Sequence, residues 1–239
     1  MNIIIDRKKD KYSASYTETF EYNGDRHVSI INLLDIINDN YSEKNSDGTK
    51  WRPVKYDCSC EQGLCGACAM VINGHPGLAC QTFCDEAAVR DAIRIQPLSK
   101  FPVVCDLVTD RSILSESLKQ MKVWIEGDAQ IPVSSGKKNT SQYEAAQCLM
   151  CGCCLEVCPN YVPGSIFTGA FGAVNAMNAM KKNENGKHME EIRNSYKKRF
   201  YSTCSKSGAC EKACPAGLSI MTLISEGNRM SIWGLRSMK

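Results

Sequence analysis

Short apolar runs separated by charged and turn-forming residues open the chain. Met1–Asp6 and Tyr16–Tyr22 read as strands. Over Val28–Asn38 the apolar positions Ile30, Ile31, Leu33, Leu34, Ile36 and Ile37 recur with a helical period, which predicts a short amphipathic helix with Val28 and Ser29 near its start. The polar stretch 39–50, with Asn-Ser-Asp-Gly inside it, reads as a loop. Ala69–Ile72 is a further strand, followed by an Asn73-Gly74 turn signal, and Ile93–Pro97 is expected as the last strand. From Val104 to Glu126 the positions Leu107, Val108, Leu114, Leu118, Met121, Val123 and Trp124 return to a helical period. Residues 127–142 read as a surface connection, and from Tyr143 onward the pattern is helical. The expected division is a mixed strand and helix domain over 1–101, a helix with its connection over 102–142, and a helical domain over 143–239.

Composition changes this picture through one residue type. The chain has 239 residues and 15 cysteines. Six lie between Cys58 and Cys84, Cys105 stands apart, five lie between Cys148 and Cys158, and three between Cys204 and Cys214. Met1–Ile5 is too short for a secretory apolar region and runs into Asp6, Arg7, Lys8 and Lys9. No apolar stretch reaches the roughly 18 residues of a membrane span; the best candidate, 164–180, carries Asn175 and Asn178 and reads as a packed helix. The chain is therefore expected in the cytoplasm, where clustered thiols stay reduced and bind metal. A formal charge of +3 gives no footprint for nucleic acid. The basic runs 181–187 and 197–199 read as solvated faces.

The first group contains Cys60-x4-Cys65-x2-Cys68, followed by Cys80. Plant-type ferredoxins hold a 2Fe–2S cluster with this spacing and a more distant fourth cysteine. Three thiolates on one tight loop wrap the cluster, and the fourth closes the cage. Gly63 and Gly66 let backbone N–H groups approach the sulfur. Zinc is the competing reading for Cys65-x2-Cys68 alone, but the x4 spacing from Cys60 and the glycines favour iron–sulfur. Cys58 and Cys84 read as small buried apolar residues, although Cys58 lies close enough in sequence to replace Cys60. His75 reads as a surface residue after a turn.

Cys148-x2-Cys151-x2-Cys154-x3-Cys158-Pro159 matches the bacterial ferredoxin run, whose fourth cysteine serves the other cluster. A partner run exists in Cys204-x5-Cys210-x3-Cys214-Pro215, with Ser207 at the position of the missing cysteine. Crossed over, the ligands sort into Cys148, Cys151, Cys154 and Cys214 for a 4Fe–4S cluster, and Cys158, Cys204 and Cys210 for a 3Fe–4S cluster. The alternative, a fourth iron held by the Ser207 oxygen, sets a hard ligand where these clusters prefer thiolate. Cys153 would ligate only by displacing Cys154. Cys58, Cys84, Cys105 and Cys153 are left over.

These segments, CEQGLCGAC from Cys60, INGHPGLAC ending at Cys80, FPVVCDLVTD from Phe101, CLMCGCCLEVCP and CSKSGACEKACP, resemble the iron–sulfur subunits of the succinate dehydrogenase and fumarate reductase family (respiratory complex II). The resemblance spans nearly the whole chain. It implies an α+β architecture, a β-grasp 2Fe–2S ferredoxin domain followed by an all-helical ferredoxin domain. It implies a flavoprotein partner in which FAD handles succinate and fumarate, and membrane-anchor subunits with a quinone. This chain would then hold no catalytic acid or base and would carry electrons between the two, peripheral on the cytoplasmic face of the inner membrane. The resemblance also implies quinone contacts just after Cys158, here Pro159, Asn160 and Tyr161. Ubiquinone-linked members carry tryptophan there and histidine after the cysteine matching Cys204. Ser205 and the missing tryptophan point toward fumarate reduction with a low-potential quinol or a soluble donor. Arginine is usual where Cys105 stands. The competing functions are the same electron wire serving another flavoprotein reductase of an unsaturated acid, an iron–sulfur sensor, and a zinc-stapled structural module.

Overall fold

Alternation along the first strand sets the core of the N-terminal part. In β1 (Asn2–Lys8) every second side chain turns inward, which buries Ile3, Ile5 and Arg7. The computed structural model describes residues 1–40, 52–125, 140–183 and 187–232. Most of the expected loop 39–50 and connection 127–142 lies outside the described residues. The chain divides into two compact units, Met1–Asp110 and Arg111–Lys239.

In the first unit β1 pairs antiparallel with β2 (Ser15–Glu21) through a hairpin register of Asn2 with Glu21 to Lys8 with Ser15. Helix α1 (Ile30–Asn40) follows; the Ser29 hydroxyl accepts the Asn32 N–H at 3.2 Å and caps its start. Its Ile30, Ile31, Leu33, Leu34 and Ile37 are buried. Strands β3 (Ala69–Ile72) and β4 (His75–Leu78) form the hairpin that the Asn73-Gly74 signal announces. A 3₁₀ turn (Ala79–Gln81), α2 (Cys84–Ala87) and β5 (Ala92–Gln96) complete the sheet. Its order is β2-β1-β5-β3-β4, with β1 and β5 parallel and the other neighbours antiparallel. A mixed sheet with a parallel central pair and one helix after the first hairpin is the β-grasp arrangement.

The helical period over 104–126 does not hold at its start. Val103–Cys105 (β6) and Val108–Thr109 (β7) form a small antiparallel hairpin, and helix α3 spans only Ser112–Gln120. The cause is Asp106, at φ +43° in the tight turn, whose carboxylate is fully buried among cationic partners. The carboxylate accepts from Arg7 Nε at 3.3 Å, Arg52 at 2.5 and 2.9 Å, and the N–H groups of Lys8 at 3.1 Å and Lys55 at 3.0 Å. Arg7 is also paired with Glu18 on β2. Burial pushes the Asp106 carboxyl up, but Arg52, Arg7 and the Lys55 N–H outweigh it and hold it below the usual aspartate value.

The second unit is helical, with α4 (Thr140–Ala146), α5 (Cys153–Glu156), α6 (Gly169–Lys182), α7 (Lys187–Tyr196), α8 (Ala209–Lys212) and α9 (Ile220–Ile232). Helix α6 is central and packs against α4, α5, α7 and α9. Lys181 on α6 pairs with Glu226 on α9 at 2.7 Å, and the Tyr196 hydroxyl donates to Asn228 Oδ1 at 2.9 Å. A π-helical turn, Lys197–Tyr201, ends α7. It frees the Arg199 carbonyl to accept the Thr168 N–H at 3.1 Å and stacks Phe200 on Phe167 at 5.8 Å. Among the described residues no helix is long and apolar enough to cross a membrane.

Candidate iron–sulfur sites

The loop from Cys60 to Cys68 feeds directly into β3, and Cys80 lies in the 3₁₀ turn after β4. The hairpin register pairs Ala69 with Leu78, which brings the two ends of the group together. Cys68 Sγ lies 3.4 Å from Cys80 Sγ, both buried. Cys60 Sγ accepts the N–H groups of Gln62 at 3.4 Å and Leu64 at 3.3 Å, and Cys65 Sγ accepts that of Ala67 at 3.4 Å. The Gln62 and Leu64 N–H groups draw the Cys60 thiol down to about 7, while burial pushes Cys68 up to about 12. Thiolate on the loop is thus favoured by N–H donors, and the buried thiols require a positive centre to ionise. Cys58 is half-buried, and burial pushes its thiol up, with the charge of Glu61 adding to the rise. Cys84 is fully buried on α2, with its thiol pushed up to about 11 by burial, as a small core residue would be. Cys105 is half-buried on β6, and His75 is exposed on β4.

The two later groups repeat one backbone design. Met150 and Lys206, each two residues after the first cysteine of its run, have φ of 50° and 58°; Gly152 and Gly208 follow at 92° and 73°. These left-handed glycines open α5 and α8, and the Gly152 and Gly208 carbonyls accept the same pair of N–H bonds, from Leu155 and Glu156 and from Glu211 and Lys212. Cys154 and Cys210 occupy equivalent places on these helices, and Ser207 occupies the place of Cys151.

The cysteines of the two runs separate into two cavities. One is lined by Cys148, Cys151, Cys154 and Cys214, with Phe171 and Leu218 among its apolar walls. The other is lined by Cys158, Cys204 and Cys210, with Ser207, Phe167 and Phe200. Asn175 on α6 donates to Cys148 Sγ at 3.7 Å. The Arg111 guanidinium donates to the Cys151 carbonyl at 3.3 Å. The Lys206 N–H points at Cys204 Sγ at 3.4 Å. Burial pushes Cys148, Cys154 and Cys210 up, whereas Cys153, and with it backbone N–H groups, brings Cys151 down to about 7. Cys153 itself points into the core, fully buried, with its thiol raised by the neighbouring Cys151.

Among the described residues no three thiol, imidazole or carboxylate groups converge tightly enough to grip a single ion. Thiols ringing a cavity suit a multi-iron cluster better than a lone zinc ion. The quinone-contact residues expected from sequence are placed unequally. Pro159 is exposed, Tyr161 is buried, and both polar ends of Asn160 are engaged within the protein. Spacing could not have revealed Arg111, Asn175 or the Arg7–Arg52–Asp106 group, because each depends on how distant segments meet.

A β-grasp domain with a four-cysteine loop, then a helical unit with two interlocked cysteine runs, defines an iron–sulfur electron-transfer protein. Two family models match in the same order: a 2Fe-2S iron-sulfur cluster binding domain over residues 2–116 and a 4Fe-4S dicluster domain over 143–218. The succinate dehydrogenase iron-sulfur subunit of Bacillus subtilis is 34% identical over 236 residues, covering 96% of this chain and 91% of that one. The fumarate reductase iron-sulfur subunit of Haemophilus influenzae is 27% identical over 244 residues, covering 95% and 91%. In structure, a chain of the Mycobacterium smegmatis Sdh1 complex in the apo form aligns with a TM-score of 0.76 at 20% identity, covering 100% of this chain and 98% of that chain, which supports the fold. The chain belongs to the iron–sulfur subunits of the succinate dehydrogenase and fumarate reductase family, and is an electron-transfer subunit of that oxidoreductase.

Proposed function

We propose that this chain carries electrons one at a time between a flavoprotein holding FAD and a quinone or soluble donor, through three clusters in series. Cys60, Cys65, Cys68 and Cys80 would hold the 2Fe–2S cluster. Cys148, Cys151, Cys154 and Cys214 would hold the 4Fe–4S cluster, and Cys158, Cys204 and Cys210 the 3Fe–4S cluster. The single observation that supports this most is the separation of seven cysteines from two runs into cavities of four and three.

Bound clusters supply reversible one-electron exchange; this chain's residues supply the rest. Thiolates anchor each iron, N–H groups aimed at Cys60, Cys65 and Cys204 offset the negative charge, and Phe171, Phe167 and Phe200 limit water at the buried sites. The substrate's acid–base chemistry would reside in the flavoprotein. Membrane-anchor subunits would hold the complex on the cytoplasmic face of the inner membrane, near the exposed segment after Cys158.

The test begins with the complex purified without oxygen. Iron and acid-labile sulfide are measured with co-purifying flavin, then fumarate-dependent oxidation of a reduced viologen dye and succinate-dependent dye reduction. Activity in either assay supports the reading, and their ratio gives the favoured direction. A flavoprotein partner without either activity keeps the electron wire and moves it to a reductase of another unsaturated acid. Zinc without sulfide overturns it.

A further inference from the structure

Asn160 lies two residues after Cys158, on the turn where the Tyr161 N–H bonds the Cys158 carbonyl at 3.3 Å. Its side-chain NH₂ donates to the Thr203 carbonyl at 2.8 Å, and its Oδ1 accepts the Ser205 hydroxyl at 2.6 Å. Thr203 and Ser205 flank Cys204. One amide therefore grips the residue before and the residue after a third-site cysteine, and ties both to the turn carrying another. Asn160 and Ser205 also line the cavity they help to close. The Lys206 N–H, 3.4 Å from Cys204 Sγ, belongs to the residue immediately after Ser205, so its aim depends on where Ser205 is held.

We propose that Asn160 is a positioning residue for the third cluster: it fixes Cys204 against Cys158 and keeps the Lys206 N–H on the Cys204 sulfur. The proposal rests on the assignment of Cys158, Cys204 and Cys210 to that cluster. It also gives a role within the protein to a residue that sequence resemblance places against quinone, since both the NH₂ and the Oδ1 of that amide already have partners in the chain. Hydrogen bonds to cluster sulfur stabilise the reduced, more negative state, so loosening the grip lowers the potential. Asn160→Ala removes both arms. Ser205→Ala removes one and leaves the Thr203 bond in place. Asn160→Asp keeps an acceptor for Ser205, loses the donor to Thr203 and adds negative charge at the rim.

The experiment is a redox titration of the anaerobically purified complex, followed by electron paramagnetic resonance, with quinone kinetics measured alongside. Asn160→Ala is expected to shift the third-cluster midpoint downward and alter its line shape, with the first two clusters unchanged. Asn160→Asp is expected to shift it further, and Ser205→Ala less. Selective loss of third-cluster iron from Asn160→Ala also supports the clamp. Wild-type midpoints and line shapes in both Asn160→Ala and Ser205→Ala overturn it, as does a raised quinone KM with an unchanged cluster signal. If Asn160→Ala does not accumulate, Ser205→Ala alone decides by the same criterion. The underlying assignment is checked separately by Cys204→Ala: if the third-site signal survives that change, the ligand assignment fails, whereas the clamp is read from variants against wild type.

Discussion

Ser207 shares the backbone setting of Cys151, between a left-handed residue and a left-handed glycine at the mouth of a short helix. A cysteine there needs no rearrangement to present sulfur, and thiolate suits iron far better than a hydroxyl. Ser207→Cys is expected to raise iron per chain and abolish the oxidised three-iron paramagnetic signal while lowering that site's potential; unchanged iron and an unchanged signal would refute the assignment. Arg111 acts on the other cavity. Its guanidinium bonds the Cys151 carbonyl, and its positive charge favours the cluster's more negative state. Arg111→Gln is expected to lower the second-cluster midpoint, with Arg111→Lys in between, as read by redox titration. Both residues show how far spacing reaches. Candidate cluster ligands can be proposed from sequence because a thiolate loop is a local device with a fixed count. Ser207 is legible as a gap in that count, whereas Arg111 gains its role only from a carbonyl 40 positions away in sequence.

At the level of elements, most of the strands and helices that hydrophobic period specifies are present, including the hairpin at Asn73-Gly74. The hairpin of β6 and β7 was not legible, since Leu107, Val108 and Leu114 fit a helical period as well. What decides the matter is Asp106, which is buried only because Arg7 at the end of β1 and Arg52 before the cysteine loop meet it. The group joins the sheet, the cluster loop and the hairpin. Removing one partner of such a buried group leaves charge uncompensated, at a cost of about 3–5 kcal/mol. Asp106→Asn is expected to lose stability of that order in denaturant unfolding, with impaired 2Fe–2S retention. The Asp106 carboxyl is held below its ordinary value of about 4, so its contribution is complete above that pH and is lost as pH falls through the lower folded value. In a pH series the wild type should therefore lose stability below about pH 4 more steeply than Asp106→Asn.

Across the molecule, the order of the two units was readable from where cysteines cluster and where alternation gives way to helical period. The boundary at Asp110 was not, because the turn that extends the first unit depends on long-range burial. The crossing of the two runs makes a prediction at this scale. Cys214→Ala should remove the second cluster, although Cys214 belongs to the later run, and Cys158→Ala should remove the third, although Cys158 belongs to the earlier one. Cluster-resolved spectroscopy of the two variants checks both; an uncrossed pattern would exchange the losses.

The crossed cavities also set a timetable for biosynthesis. While the chain is being made, the run from Cys148 to Cys158 emerges with three of the thiols of its own cavity and one belonging to a cavity not yet begun. On the proposed ligand assignment, the third site has its cysteines once Cys210 has been synthesised and the second only once Cys214 has been. Cluster insertion there must follow translation of nearly the whole chain, whereas the first site has all its cysteines once Cys80 is made. A ribosome stalled between Cys80 and Cys210 would release a chain with the full cysteine set of its first site and of neither other site.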